Sequence, residues 1–223
     1  MATRSLLREL CDAYLALSGV EVRIESVGGV DAAKRVQSGE AFDVVILASD
    51  AIGKLITAGH LAVGSRVDLV TSPISVAIKS GAPRAMITPA SSLKDSLLKA
   101  KSISYSTGPS GVYLAQLFEK MGIADQLKSK TIVPPPGVPV GSLVAKGEVE
   151  IGFQQRSELI NVEGIEVLGN LPDEVAYITT FSAGIPNTSS AASQEAVARF
   201  LSFANSAQTV SLKQSQGMRP IPN

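Results

Sequence analysis

The chain has no tryptophan, a single histidine and a single cysteine among 223 residues. Each scarcity removes a chemistry. Cys11 alone cannot form a disulfide within one chain, so cysteine usage does not report the redox compartment. It falls in an amphipathic helix with no partner nearby in sequence, which reads as a buried structural thiol and not a nucleophile. With His60 the only histidine, no Cys/His cluster has metal-ligand spacing, and no metal is expected. His60 sits in Ala58-Gly-His-Leu61, a helix-ending turn. There is no Walker loop, and Gly28-Gly29 is too short for a dinucleotide fingerprint, so no cofactor is expected. Charge of one sign is also missing: 20 basic and 20 acidic residues give a net charge of zero. Without a basic stripe, nucleic acid is not an expected partner. No apolar run reaches membrane-spanning length, so no membrane insertion is expected.

What is present is strand–helix alternation and 45% apolar content, which together imply an α/β globular fold. Leu6–Leu15 has helical spacing, and Glu21–Glu25 alternates like a strand before the helix Asp31–Gln37. Phe42–Ala48 is a continuous apolar run suited to a strand covered on both faces. Ser49–Ala58 reads as a short helix stopped by Gly59. Val67–Ile78 is a long extended segment interrupted at Pro73. Beyond it the alternation predicts helices at Ser91–Lys99, Gly111–Met121 and Val140–Lys146. Strands are predicted at Ser102–Tyr105, Thr131–Val133, Glu150–Gln154 and Ile165–Leu168. Val175–Ile185 is a second extended segment, and Gln194–Gln214 reads as one long amphipathic helix. Two extended crossings predict an inserted domain: residues 1–72 and 181–223 form one lobe, and 73–180 the other. The expected architecture is a two-lobed clamshell, each lobe a mostly parallel sheet flanked by helices, with two hinge crossings and a ligand in the cleft between the lobes.

The stretch with the most chemistry is Ser104-Tyr-Ser-Thr-Gly-Pro-Ser-Gly-Val-Tyr113. It runs from a strand through small polar residues into a helix opening, where unpaired amides and the positive end of the helix dipole converge. Ser106, Gly108, Ser110 and Gly111 suit an anion held by hydrogen bonds in place of opposite charge. An ordinary capped helix uses the same residues. The device recurs, however, at Ser26-Val-Gly-Gly-Val30 (Gly28, Gly29 and Val30), at the start of the chain around Ala2 and Thr3, and at Pro134–Pro139. Glu25 and Asp31 flank the second loop, and capping and solvation explain them.

Three stretches carry a resemblance. Gly39–Ser49 resembles a motif of type II periplasmic solute-binding proteins. Pro109-Ser-Gly-Val-Tyr113 and Leu143–Phe153 resemble runs of the molybdate-binding branch of ABC transporters. The likeness extends over nearly the whole chain. It implies an oxyanion held by hydroxyls and amides, and by position it points to Ala2–Thr3, Gly29, Val30, Ser110, Gly137, Val138 and Gln155. Gln155 replaces a tyrosine of that family, and Gly28-Gly29 replaces a serine-rich loop. A glutamine amide suits carboxylates, so a small organic acid stands beside a metal oxyanion as the expected ligand. Arg156 either reinforces such a ligand or faces solvent.

The reading is therefore capture of a small anionic ligand, for an ABC transporter membrane component. One alternative is an isomerase of a small tricarboxylic acid of the aconitate isomerase kind, for which Tyr113 and Glu158 are the catalytic candidates. Another is a soluble ligand sensor. Met1 falls almost on a helix start, where an α/β domain would usually place a strand, so the sequence reads as beginning late. A periplasmic location is expected if a leader was removed, and a cytoplasmic one if Met1 is the true start. An exposed sheet edge at that end leaves a dimer open.

Overall fold

The computed structural model describes residues 1–221. They divide into two compact units: Met1–Ser72 with the segment from Thr180 onward, and Pro73–Thr179.

In the first unit, α1 (Arg4–Ser18) places Leu6, Leu7, Leu10, Cys11 and Tyr14 on one buried face, as their spacing dictates. Gly19 ends it in the left-handed conformation, returning its N–H to Leu15 O. The following elements are α2 (Gly29–Gln37), β1 (Val45–Ala48) and α3 (Ser49–Thr57). Val36, Val45, Leu47, Ile52 and Leu55 form a small core among these three. The long strand β2 (Val67–Lys79) then leads into the second unit.

The second unit runs α4 (Ala90–Lys99), β3 (Ile103–Tyr105), α5 (Pro109–Lys120), α6 (Ala124–Lys128) and β4 (Thr131–Ile132). It continues with α7 (Val140–Lys146), β5 (Ile151–Gln155), α8 (Arg156–Leu159) and β6 (Ile165–Asn170). β3 is parallel to both β4 and β5, while β5 and β6 flank β2 on opposite edges, both antiparallel to it. Four strands of this sheet, β3 to β6, therefore point the same way, and β2 alone opposes them. Leu93, Leu97, Ile103, Leu114, Phe118 and Phe153 fill its larger core. On the other face Val140, Val144 and Val149 make a smaller one.

α7 reaches β5 so closely because residue 152 is glycine. A Cβ there would stand 2.5 Å from Val144 Cγ2 and 2.9 Å from Val140 Cγ1. Packing at that distance leaves no room for a side chain.

The chain returns through β7 (Ile178–Gly184) to α9 (Ala191–Ala204), α10 (Val210–Ser215) and β8 (Arg219–Pro220). In the first unit α9 sets Val197, Phe200 and Leu201 against α1, with Tyr14 edge-on to Phe200 at 5.4 Å.

Three expectations are corrected. Glu21–Glu25 forms no strand: these residues are mostly exposed and have no ladder partner among the described residues. Alternation without a neighbour to pair with does not make a strand. The first unit's pairings are antiparallel, β1 with β7 and β8 with β2, not mostly parallel. β7 brings the chain back against the direction of β1, and β8 folds back on β2.

The predicted helix Gln194–Gln214 breaks after Ala204. There Asn205 Nδ2 donates to Asp68 O, and Thr209 Oγ1 donates to Ala204 O. Side-chain bonds of this kind compete with helix continuation. The break lets Lys213, only 2% exposed, bring its ammonium to Leu69 O at 2.9 Å and Asn205 Oδ1 at 3.0 Å. Burial lowers the pKa of that lysine.

Candidate functional site

Because β3 to β6 run in one direction, their C-terminal ends share one edge of the second unit's sheet. Ligands of α/β sheets bind outside that edge. Three of the singled-out segments leave from it: Ser106–Ser110 after β3, the Pro134–Pro139 loop after β4, and Gln155–Glu158 after β5.

The α5 opening is built tightly. Gly108 is extended at the cap position and Pro109 occupies the first helical position, where a missing N–H costs nothing. Ser106 and Ser110 bring their hydroxyls to 3.3 Å of each other, Ser110 being 1% exposed. Gly111 is obligatory. A Cβ there would lie 1.5 Å from Ser106 O, so only glycine lets the first turn sit on the preceding loop.

At the neighbouring opening, Gly137 takes a positive φ of 87° and Val138 is exposed at 39%. Gly141 N, in the first turn of α7, donates to Gln154 Oε1 at 3.3 Å. Gln154 also hydrogen-bonds the carboxyl of Glu158. Burial raises the pKa of that carboxyl, and the bond from Gln154 opposes the rise.

Gln155, 2% exposed, donates from Nε2 to Thr179 Oγ1 at 2.6 Å. Its Oε1 is buried without a partner, as are Ser104 Oγ and Ser157 Oγ in the same unit. Unsatisfied buried polar atoms are uncommon in native interiors and point to function or a missing partner.

Tyr113 is otherwise committed. Its hydroxyl donates to Val175 O at 3.0 Å, its ring stacks on Tyr177 at 4.4 Å, and burial raises its pKa. A phenol so held is a packing residue and a poor base. Arg156 opens α8 and is half-buried.

The other singled-out residues lie in the first unit. Thr3, 8% exposed, caps α1 by its main chain, which accepts from Leu7 N, and makes no side-chain cap bond. Gly28 precedes α2, Gly29 opens it above Leu47, and Val30 is 50% exposed. Arg35 braces this opening by pairing with Glu25 and Glu40. Asp31 is an exposed first-turn acid, which favours the helix dipole. The Cys11 thiol is pushed up to about 11, first by burial and then by the charge of Asp12, so it is no nucleophile at neutral pH. His60 lies in the turn that ends α3, its main-chain N–H returned to Leu55 O.

A surface groove of about 600 Å³ on this unit is lined by Ser49, Asp50, Lys54, Thr57 and Arg66. It is open, and its arginine is already held by both oxygens of Asp68. Among the described residues no group of His, Cys, Asp and Glu is arranged for a metal ion, and no helix is long and apolar enough to cross a membrane.

Residues 1–219 match the family described as bacterial extracellular solute-binding protein. Over 222 residues the chain is 36% identical to an aconitate isomerase from Pseudomonas sp., covering 97% of this chain and 84% of that one. Among solved structures, the Azotobacter vinelandii periplasmic molybdate-binding protein superposes with a TM-score of 0.81 at 18% identity, over 100% of this chain and 96% of that one. The binding protein AgtB of A. tumefaciens R10, solved with agropinic acid, superposes at 0.76 with 16% identity, over 99% and 80% of the two chains. At such identities the two structures establish a shared fold. The family match across nearly the whole chain and the 36% relative carry the conclusion that this protein is a member of the bacterial extracellular solute-binding protein family.

Proposed function

We propose that the chain binds a small organic acid at the edge of the second unit's sheet where the α5 and α7 openings and Gln155 lie. The observation that carries this reading is the donor set on that edge. The hydroxyls of Ser106 and Ser110 and the first-turn amides of α5 suit an anion. Beside them stands the buried side-chain amide of Gln155, whose paired N–H and C=O groups suit the mixed carboxylate and hydroxyl groups of an organic acid better than a bare tetrahedral oxyanion. The relationship to an aconitate isomerase supports the same ligand class. Delivery to an ABC-type transporter, closure on the ligand and a location outside the cytoplasmic membrane belong to the same proposal. Cell fractionation tests the last of these.

Thermal unfolding with cis- and trans-aconitate, citrate, molybdate, tungstate and sulfate tests the ligand class. A ligand at about a hundred times its Kd adds roughly 2.7 kcal/mol, or about 5–10 °C in Tm for a chain of this size. A shift with molybdate or tungstate and none with the acids overturns the reading.

A second reading, isomerisation of a tricarboxylic acid, is favoured by that same relative, which matches 97% of this chain. The step needs one proton-transferring group beside a held carboxylate. Glu158, whose burial raises its pKa, is the residue assigned to it. Conversion of cis- to trans-aconitate, followed by proton NMR for the wild type and Glu158→Gln, decides this. Turnover lost in the variant with ligand binding retained supports the reading, and no turnover by the wild type sinks it.

A further inference from the structure

The chain has nine arginines, and seven of them are exposed. Arg35 and Arg156 are the half-buried pair. The charge of Arg35 is answered by Glu25 and Glu40. Arg156 has neither an ion pair nor a side-chain hydrogen bond among the described residues. The nearest carboxyl along the chain, that of Glu158, is bonded to Gln154 instead. A cation partly withdrawn from water without a counter-charge costs free energy that an arriving anion offsets. The register of the sheet gives that anion a place. β3 and β5 are parallel with Tyr105 opposite Phe153, and neighbouring strands lie about 4.8 Å apart. Arg156, three residues beyond Phe153, therefore leaves the sheet alongside Ser106–Gly108, the loop that opens α5.

We propose that Arg156 makes the site selective for acids with at least two carboxylates: the hydroxyls and first-turn amides of the α5 opening hold one, and the Arg156 guanidinium holds a second. The inference rests on the organic-acid reading above and narrows it. A planar guanidinium donates two parallel N–H bonds to a carboxylate, a geometry that a lysine ammonium does not reproduce. The α5 opening offers hydroxyls and amides, with Ser106 and Ser110 Oγ 3.3 Å apart, and so no opposite charge. Two carboxylates on one small molecule repel each other unless a cation takes one of them, and Arg156 supplies that cation.

Isothermal titration at neutral pH with tricarballylate and butyrate, which share a propane skeleton and differ by two carboxylates, tests this. The wild type should bind tricarballylate more tightly by at least about tenfold, and Arg156→Gln should lower that ratio by about ten- to a hundredfold. Arg156→Lys, which keeps the charge and loses the fork, should recover part of it. Arg84→Gln removes the same charge from the same unit, at an exposed arginine paired with Glu166, and should leave both affinities unchanged. An equal loss in Arg84→Gln assigns the effect to net charge and overturns the inference. So does an Arg156→Gln variant that binds tricarballylate as the wild type does or weakens both acids alike, or a wild type that binds the two acids equally; in each case the organic-acid reading stands. Binding of molybdate or tungstate alone, or of none of these probes by the folded protein, overturns both. The wild type gives a check that needs no variant to fold. The NMR signal of the Arg156 Nε–H group should shift as tricarballylate saturates the protein, and an unmoved signal refutes the contact.

Discussion

Replacing Gly152 by alanine puts a methyl group where the structure has no space for one. The new Cβ would lie 2.5 Å from Val144 Cγ2 and 2.9 Å from Val140 Cγ1, and both valines are fully buried. Either α7 moves off β5 or the valines leave their rotamers, and overpacking of this kind costs about 2–3 kcal/mol. At about 2–4 °C per kcal/mol for a chain of this length, Tm falls by about 5–10 °C. Val144→Ala alone removes two methyl-sized groups at about 0.8 kcal/mol each and leaves a cavity, for a total near 2–3 kcal/mol. The double variant is the decisive member of the cycle. The alanine methyl at 152 fills part of the space that Val144 vacates, so the pair costs about 2–3 kcal/mol instead of the roughly 5 that addition gives. Urea unfolding followed by circular dichroism measures all four proteins. A Gly152→Ala variant within about 0.5 kcal/mol of the wild type, or a strictly additive double variant, would refute the claim that the missing side chain sets the distance between α7 and β5. The result bears on the candidate site, because Gly141 in the first turn of α7 holds Gln154.

The α5 opening gives a paired prediction. Gly111→Ala meets main-chain atoms at 1.5 and 2.7 Å and should both lower Tm and abolish any ligand-induced shift, whereas Gly108→Ala, with its nearest contact at 3.6 Å, should preserve both. Asp68 predicts a pH dependence. Arg66 first, and then Ser182, hold its carboxyl below the ordinary carboxylate range against the opposing effect of burial. Its stabilising contribution is complete above the unfolded value of about 3.9 and is lost as pH falls through the lower folded value. Urea midpoints between pH 5 and pH 2 should fall more steeply for the wild type than for Asp68→Asn, and parallel curves would remove Asp68 from the account.

Much of this was legible in the sequence wherever neighbouring residues decide the outcome. Val140–Lys146 is a helix over the predicted span, and Pro109 and Gly111 mark the α5 opening by local chemistry alone. Distant partners were harder to foresee. Glu21–Glu25 has the alternation of a strand and no strand to pair with. The break at Asn205 goes with bonds to distant partners, Asn205 to Asp68 and Lys213 to Leu69, 144 residues away, and the helical periodicity runs through it undisturbed. The same limit applies at the candidate site. Gln155 stood out by type and position, but Thr179 did not, since nothing in its own neighbourhood marks it as the residue that would hold that amide. Tyr113 drew attention for its nearness to the α5 opening, and the structure spends its hydroxyl on Val175 O.

The division of the chain also sets an order of events during synthesis. Pro73–Thr179 is one uninterrupted stretch and has all its strands and helices once residue 179 has left the ribosome. The other unit is made first and finished last. Its α1 face, Leu6, Leu7, Leu10 and Tyr14, lacks Phe200 and Leu201 until α9 emerges, and Leu69 lacks Lys213 for longer still. At about 5–20 residues per second, the last forty-odd residues take roughly 2–8 s. For that interval the α1 face has only part of its cover, Leu69 and Val70, and still waits for the aromatic and aliphatic side chains of α9.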